Sequence, residues 1–212
     1  MYGLSHTLKK LYQGDTIARV MMNVGLSRYT VQGVVVDIGG GRDPDYFDYM
    51  HAEDNVRIEP VDGSISNIDF EVDPLPYADN AADTVLMCNI LEHVFNYNFL
   101  VGEATRILRG GGQLIGFVPF WVGYHPDPRD YFRYTPEALT NIFAAAGLND
   151  IVITPVGSSP ILANYNTIML SFPKFVRPAL YLWYRMFDKL FVALRPISVR
   201  RHPFGYIFTA RK

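Results

Sequence analysis

Short apolar blocks recur along this chain, separated by stretches whose apolar residues fall at helical spacing. The first clear block, "GVVVDIGG" (33–40), is a run of valines bounded by glycines and predicts a buried strand. Before it, residues 4–25 allow one or two short helices with Gly25 as a stop. Asp43 and Pro44 read as an N-cap and a first helical position, so a helix is expected to open there. Further strands are predicted over 55–63, briefly within 67–80 before a proline-marked loop, and over 82–90. Apolar residues at 100, 101, 104, 107 and 108 have helical spacing, and the glycine run 110–112 should end that helix. "GQLIGFVPF" (112–120) is a fifth strand. "TPEALTNIFAAAGL" (135–148) opens on a Thr cap followed by Pro and Glu and closes at Gly147, which marks a helix. Strands over 149–157 and 205–212 complete the pattern.

Strands alternating with helices predict an α/β fold: a Rossmann-like, doubly wound, mostly parallel seven-stranded sheet with an antiparallel last strand. The expected organisation is an N-terminal helical segment (1–30), a ligand-binding core (31–157), a helical aromatic and basic insert (158–203) and a terminal core strand (204–212). The 212 residues suffice for one such domain. A single cysteine, Cys88, excludes an intrachain disulfide and suits a reducing cytoplasm. The N-terminus has no continuous apolar h-region, so no secretory signal is expected. The apolar stretch at 178–196 is broken by Arg185, Asp188 and Lys189, and is a poor candidate to span a bilayer. Charge is divided unevenly. Residues 151–212 carry nine Lys or Arg and one acid, net +8, and residues 1–150 carry 10 basic and 20 acidic residues, net −10. The two ends are therefore expected to meet different things.

Chemistry enters at "VVVDIGGGRDPDYFDY" (34–49). Glycine without a Cβ allows positive φ and lets a ligand approach the backbone. A dinucleotide fingerprint would need a third glycine where Pro44 stands, and no G-K-[ST] ending makes a Walker loop. A nucleoside-type cofactor fits better. Glu59, at the end of the second strand, could accept from both ribose hydroxyls. Glu71 and Asp73 lie within reach of an adenine amino group, and Cys88 and Asn89 flank the same crevice at the carboxyl edge of the sheet.

"VVDIGGGRDP", "VDPLPYADNAADTVLMCNILEHV" and "EATRILRGGGQLIGFVPF" resemble, in order and spacing, the class I S-adenosylmethionine-dependent methyltransferases, in particular those called type 11. The middle segment keeps Leu75, Pro76, Tyr77, Asp79, Asn80, Asp83, Leu91, Glu92 and His93, with Ala82 where the family usually has Phe. The resemblance covers roughly residues 30–155. It implies S-adenosylmethionine as cofactor and S-adenosylhomocysteine as product. It implies that Asp37, Gly39, Gly40 and Gly41 contact the amino-acid part of the cofactor. Glu59, with Asp62 as a nearby competitor, would hold the ribose. Glu71, or else Asp73 or Leu75, would lie by the adenine, and Cys88 and Asn89 by the methionine.

Deprotonating an acceptor hydroxyl or amine calls for a base, and His93, His125 and Asp130 are the candidates. "WVGYHPDPRDYFRYTPEAL" (121–139) resembles the loop that covers the active site in type 11 relatives, with Tyr124, Tyr131 and Arg133 as acceptor contacts. The alternative for this loop is an ordered segment whose Arg and Asp pair with each other. A metal at His125, Asp127 and Asp130 is set aside because of the two prolines and the lack of another nearby histidine. The leading reading is O-methylation of a small-molecule or glycan-type acceptor in the cytoplasm. Its rivals are a catalytically silent scaffold and an NAD(P)-dependent reductase. In the insert, Leu180, Trp183, Phe187, Leu190, Phe191 and Leu194 share a helical face opposite Arg185, Asp188 and Lys189. That face reads as a lid, a homodimer contact, or a surface (174–201) for the inner membrane face or a lipid-linked acceptor. No nucleic-acid module is visible, and no nucleic acid is expected as partner.

Overall fold

The structure is a computed structural model that describes residues 2–42 and 44–212. The helix start expected at Asp43 lies outside the described residues. Helices α1 (Leu4–Gln13) and α2 (Ile17–Leu26) open the chain, with Gly25 inside α2 rather than ending it. Strands β1 (Thr30–Val31), β2 (Val34–Ile38), β3 (His51–Ala52) and β4 (Arg57–Val61) follow, then the one-turn helix α3 (Gly63–Ser66). Next come β5 (Ala82–Cys88), α4 (Tyr97–Ile107), β6 (Leu108–Pro119), α5 (Pro136–Ala145) and β7 (Asn149–Gly157). Helices α6 (Pro160–Ile168), α7 (Arg177–Leu194) and α8 (Ser198–Arg201) precede the last strand, β8 (Pro203–Arg211).

The chain divides into two compact units. One holds residues 26–119, 124–154 and 206–212, and the other residues 1–25, 120–123 and 155–205. The first contains the fold that the sequence predicts, a mostly parallel sheet in the order β4-β2-β5-β6-β8-β7. Strand β2 pairs in parallel with β4 and β5, and β5 with β6. The last strand is antiparallel to β6: the Gly111 N–H donates to the Lys212 carbonyl at 2.9 Å and the Lys212 N–H returns to Gly112 at 3.2 Å. Val35, Val36, Ile38, Val85, Leu86, Met87, Leu114 and Ile115 are buried, so the central strands read as continuous apolar runs rather than alternating ones. Helix α4 buries Leu100, Ala104 and Ile107, while α5 buries Leu139 and Phe143. The Thr135 side chain caps α5 by accepting from the Ala138 N–H at 3.3 Å.

Six strands form the sheet rather than seven, because the stretch 67–80 is irregular. Its backbone groups are taken by side chains of α4. Glu103 accepts from the Leu75 N–H at 2.8 Å, and the Arg106 guanidinium donates to the carbonyls of Leu75 (3.1 Å) and Tyr77 (2.8 Å). With those groups satisfied, nothing drives a ladder. The glycine run 110–112 lies within β6, so α4 ends earlier than its apolar spacing suggests. Gly112 is tightly placed: a Cβ there would sit 2.9 Å from the Arg109 carbonyl.

The other unit gathers α1, α6 and α7 around Leu11, Ile17, Leu162, Tyr165, Met169, Tyr181 and Phe204.

Phe143 is wholly buried with its ring centroid 4.8 Å from that of Phe208. Phe143→Ala should therefore cost roughly 3–5 kcal/mol of stability, read as a lowered urea midpoint with unchanged slope.

Candidate functional site

A cavity of about 780 Å³ opens at the carboxyl ends of β2, β4 and β5, a volume suited to a nucleoside-sized ligand. Its floor is the turn Gly39–Gly41, and its walls come from Asp62, Gly63, Ile68–Glu71, Asn89, Ile90, His93, Val94 and Asp127–Arg129.

The three glycines do different things. Gly39 has φ +79°, its N–H donates to the Val61 carbonyl at 2.8 Å, and a Cβ would lie 2.7 Å from the Ile90 side chain. A Cβ on Gly40 would overlap the Asp37 carboxylate and the Tyr46 hydroxyl. Gly41 has φ +73° with nothing within 4 Å of where its Cβ would be, so it leaves its backbone open to a ligand. Beyond it the chain makes only a 3-10 turn, Asp45–Asp48, and no α-helix begins there among the described residues. The phosphate site that a helix N-terminus provides in dinucleotide folds is thus missing from this turn.

Asp37 is fully buried and is not among the residues lining the cavity. The Tyr46 hydroxyl sits 2.6 and 2.7 Å from its two oxygens. Burial pushes its carboxyl up to about 7, against a lowering by the Tyr46 hydrogen bond. Glu59 does not line the cavity either: its carboxylate pairs with Arg57 at 2.5 Å. Asp62, directly after β4, does line it. Glu71 lines the cavity, but its carboxylate accepts from the N–H groups of Phe95 (2.8 Å) and Asn96 (2.6 Å), where α4 begins. Asp73 accepts from the Asp69 N–H at 2.9 Å and lies outside the lining, as does Cys88, whereas Asn89 is part of it. Asp69 and Phe70, which the sequence reading passed over, occupy the wall where Asp73 was expected.

On the acceptor side, His93 lines the cavity and its Nδ1 is hydrogen-bonded to the Arg129 carbonyl. A carbonyl only accepts, so Nδ1 carries the proton and Nε2 is left to take another. Glu92, one residue earlier, is fully buried, with its Oε1 3.6 Å from His93 Nε2. Neither of its carboxyl oxygens has a hydrogen-bond partner on another described residue, and burial pushes its carboxyl up to about 8. The sequence carried a signal for Glu92 in the "LEH" motif, but nothing in it revealed the burial. The His125 ring meets that of His93 edge-on, with centroids 5.2 Å apart.

Asp130 accepts from both Arg133 terminal nitrogens (2.5 and 2.8 Å) and from the His125 N–H (3.0 Å). The Arg133 guanidinium holds its carboxyl far below the usual range, which makes Asp130 a poor base. Arg133 is occupied by the same pair. Tyr131 is partly exposed, and its hydroxyl accepts from Arg129 at 2.9 Å; Tyr124 is highly exposed. Glu92, His93 and His125 place ligating atoms within 4.8 Å of one another, as a metal would require. However, an Arg133 nitrogen 3.4 Å from His125 Nδ1 puts a positive charge beside that group.

Comparison with known proteins agrees with this geometry. Residues 43–116 match the family model of the methyltransferase domain, which bears out the resemblance read from the sequence. No curated protein matches the chain. Among solved structures, the cyclase SpnF is similar at 20% identity with a TM-score of 0.54, covering 92% of this chain and 80% of its own. A phosphoethanolamine N-methyltransferase from Haemonchus contortus, in complex with S-adenosyl-L-methionine, is 14% identical with a TM-score of 0.54. It covers 100% of this chain, which spans 57% of its length. A SAM-dependent methyltransferase from Archaeoglobus fulgidus is 14% identical with a TM-score of 0.53, covering 96% of this chain and 97% of its own. At such identities the likeness shows the Rossmann-like methyltransferase fold.

The two buried acids set a pH dependence. Both hold their protons to higher pH when folded than their ordinary values of 3.8 and 4.5 allow. The folded chain therefore binds more protons than the unfolded one, and stability falls as pH rises through the window from about 4 to about 8. Asp130 and Glu103, held low chiefly by their Arg133 and Arg106 partners, act in the opposite sense and only in acid. Urea midpoints should decline across the upper window, and the decline should flatten in Asp37→Asn.

Proposed function

We propose that this chain, whose residues 43–116 match the methyltransferase domain, binds S-adenosylmethionine and methylates a hydroxyl of a small-molecule or glycan-type acceptor. The observation that carries the reading is the cavity at the sheet's carboxyl edge, floored by a glycine turn behind which no α-helix begins among the described residues. That floor suits an uncharged nucleoside end better than a diphosphate. Asp62, Asp69, Glu71 and Asp127 line the cavity, with Arg129 the one Lys or Arg among its described lining residues, and such a field favours a ligand carrying positive charge. When bound, S-adenosylmethionine supplies a methyl group activated by its sulfonium.

In this reading Asp62, rather than Glu59, accepts from the ribose hydroxyls. Phe70 and Asp69 stand beside the adenine, with Glu71 fixing that wall to the start of α4. Gly41 and Asn89 border the methionine end, and Asp37 supports the turn from beneath. His93, which lines the cavity, is the group that takes the acceptor's proton. His125, Asp130 and Arg133 hold the covering loop. The chemistry asked of the protein is alignment, exclusion of water and one proton transfer. The fold alone does not decide the reaction, since one similar structure is a cyclase.

Calorimetric titration with S-adenosylhomocysteine should give micromolar binding, and NADH should give none. Asp62→Ala should weaken the former roughly ten- to a hundredfold, as expected for losing a charged hydrogen-bond acceptor, while Glu59→Ala should leave it unchanged. Binding of NADH alone, or of neither ligand, would sink the proposal. With an acceptor in hand, His93→Gln should lower kcat by about 10²- to 10⁴-fold without altering cofactor affinity.

A further inference from the structure

Helix α7 is built inside out. Its 18 residues extend about 27 Å at 1.5 Å per residue. The buried positions are Arg177, Tyr181 and Asp188, one face at intervals of four and seven residues. Each of the two charged ones is satisfied within the same unit. Arg177 donates to the carbonyls of Phe172 (3.0 Å) and Gly14 (3.2 Å). Asp188 accepts from the hydroxyls of Ser158 and Ser159 and from the N–H groups of Ser159 (3.2 Å) and Leu162 (3.3 Å). The opposite face carries Leu182, Trp183, Met186, Phe187, Leu190 and Leu194, with Leu190 59% and Leu194 73% exposed. The sequence pattern left this apolar face open to being a packed lid, a homodimer contact or an exposed surface, and set Asp188 among the polar residues opposite it. The two serines ahead of α6 draw Asp188 inward by offering it a better partner than water.

Single exposed apolar residues need no explanation, but six on one helical face form a patch that calls for a cover. The charges around it select the cover. Asp188 is the one acid in residues 151–212, and it is buried. Lys174, Lys189, Arg195, Arg200 and Arg201 are exposed. Two copies of this face would bring like charges together, which opposes self-association. Among the described residues, no helix is long and apolar enough to cross a membrane. An apolar, tryptophan-bearing face fringed by basic residues matches a helix lying in the headgroup region of an anionic bilayer.

We propose that α7 docks the protein on an anionic lipid surface, with Trp183, Met186, Leu190 and Leu194 entering the interface and Lys189, Arg195, Arg200 and Arg201 meeting lipid phosphates. This goes beyond the catalytic reading and does not depend on it. The test is flotation of the full chain with vesicles of phosphatidylcholine alone or mixed equally with phosphatidylglycerol. The protein should float with the mixed vesicles, less so as salt rises, and not with the neutral ones. Each basic residue replaced, as in Lys189→Glu, should lower the partition coefficient about fivefold or more. Trp183→Glu combined with Leu190→Glu should abolish flotation. Both positions are exposed, so S-adenosylhomocysteine titration and the thermal midpoint should not change. In a Trp121→Phe background, Trp183 emission should shift to the blue on adding mixed vesicles. Flotation with neither vesicle, equal flotation with both, or a monomer–dimer equilibrium abolished by the same double variant would each overturn the proposal.

Discussion

The hydrogen bond between the Tyr46 hydroxyl and the buried Asp37 carboxyl shapes everything at the ligand edge of this sheet. A carboxyl at the end of a central strand, out of reach of water, must be neutral or well partnered. Tyr46 reaches it only because the chain doubles back across Gly40, where any side chain would displace one or the other. That crossing sets the path of the turn. It places Gly39 against Ile90 and leaves Gly41 open over the cavity. Among the described residues the chain then continues in the 3-10 turn Asp45–Asp48, which carries Tyr46, and not in an α-helix. The floor of the cavity is therefore a consequence of how one acid is buried.

Much of the fold could be read from the sequence, and the reasons differ by element. The valine run of β2, the capped helix α5 and the strand 149–157 are specified by local chemistry: β-branched residues, a Thr–Pro–Glu opening, a bounding glycine. The failures lie where tertiary partners decide. Residues 67–80 look like a strand, yet Glu103 and Arg106 on α4 take its backbone groups. "LRGGG" looks like a helix end, yet the glycines continue a strand paired with the last residues of the chain. The segment that most clearly marks the family is in part a brace: Leu75 and Tyr77 through their backbone, and Asp79 through its carboxylate, hold Arg106.

The candidate site divides in the same way. Its location at the carboxyl edge followed from the strand pattern, and so did the participation of Asn89, His93 and the glycines in one place. The choice between Glu59 and Asp62 did not, because only the end of β4 separates a residue inside the strand from one just beyond it. Glu59 pairs with Val36 in the ladder, two residues before β4 ends, and a neighbouring arginine claims it. Asp62 has left the ladder and turns with the chain into the cavity wall. Glu71 lines the cavity while its carboxylate ties that wall to the Phe95 and Asn96 N–H groups at the start of α4.

Glu92 and Asp188 show how differently a buried acid can be used. Asp188 is saturated by two hydroxyls and two amides, so its charge is satisfied where it lies and its work is to orient α7. Glu92 is equally buried but has no hydrogen-bond partner on another described residue, so its folded state favours the proton. The Arg133 guanidinium acts in the opposite direction on Glu92 without outweighing that burial. His93, which lines the cavity, has its Nε2 3.6 Å from Glu92 Oε1 and its Nδ1 bonded to the Arg129 carbonyl. The two acids therefore differ in their partners rather than in their depth: Asp188 is met by four donors, whereas Glu92 sits beside an imidazole at the cavity wall.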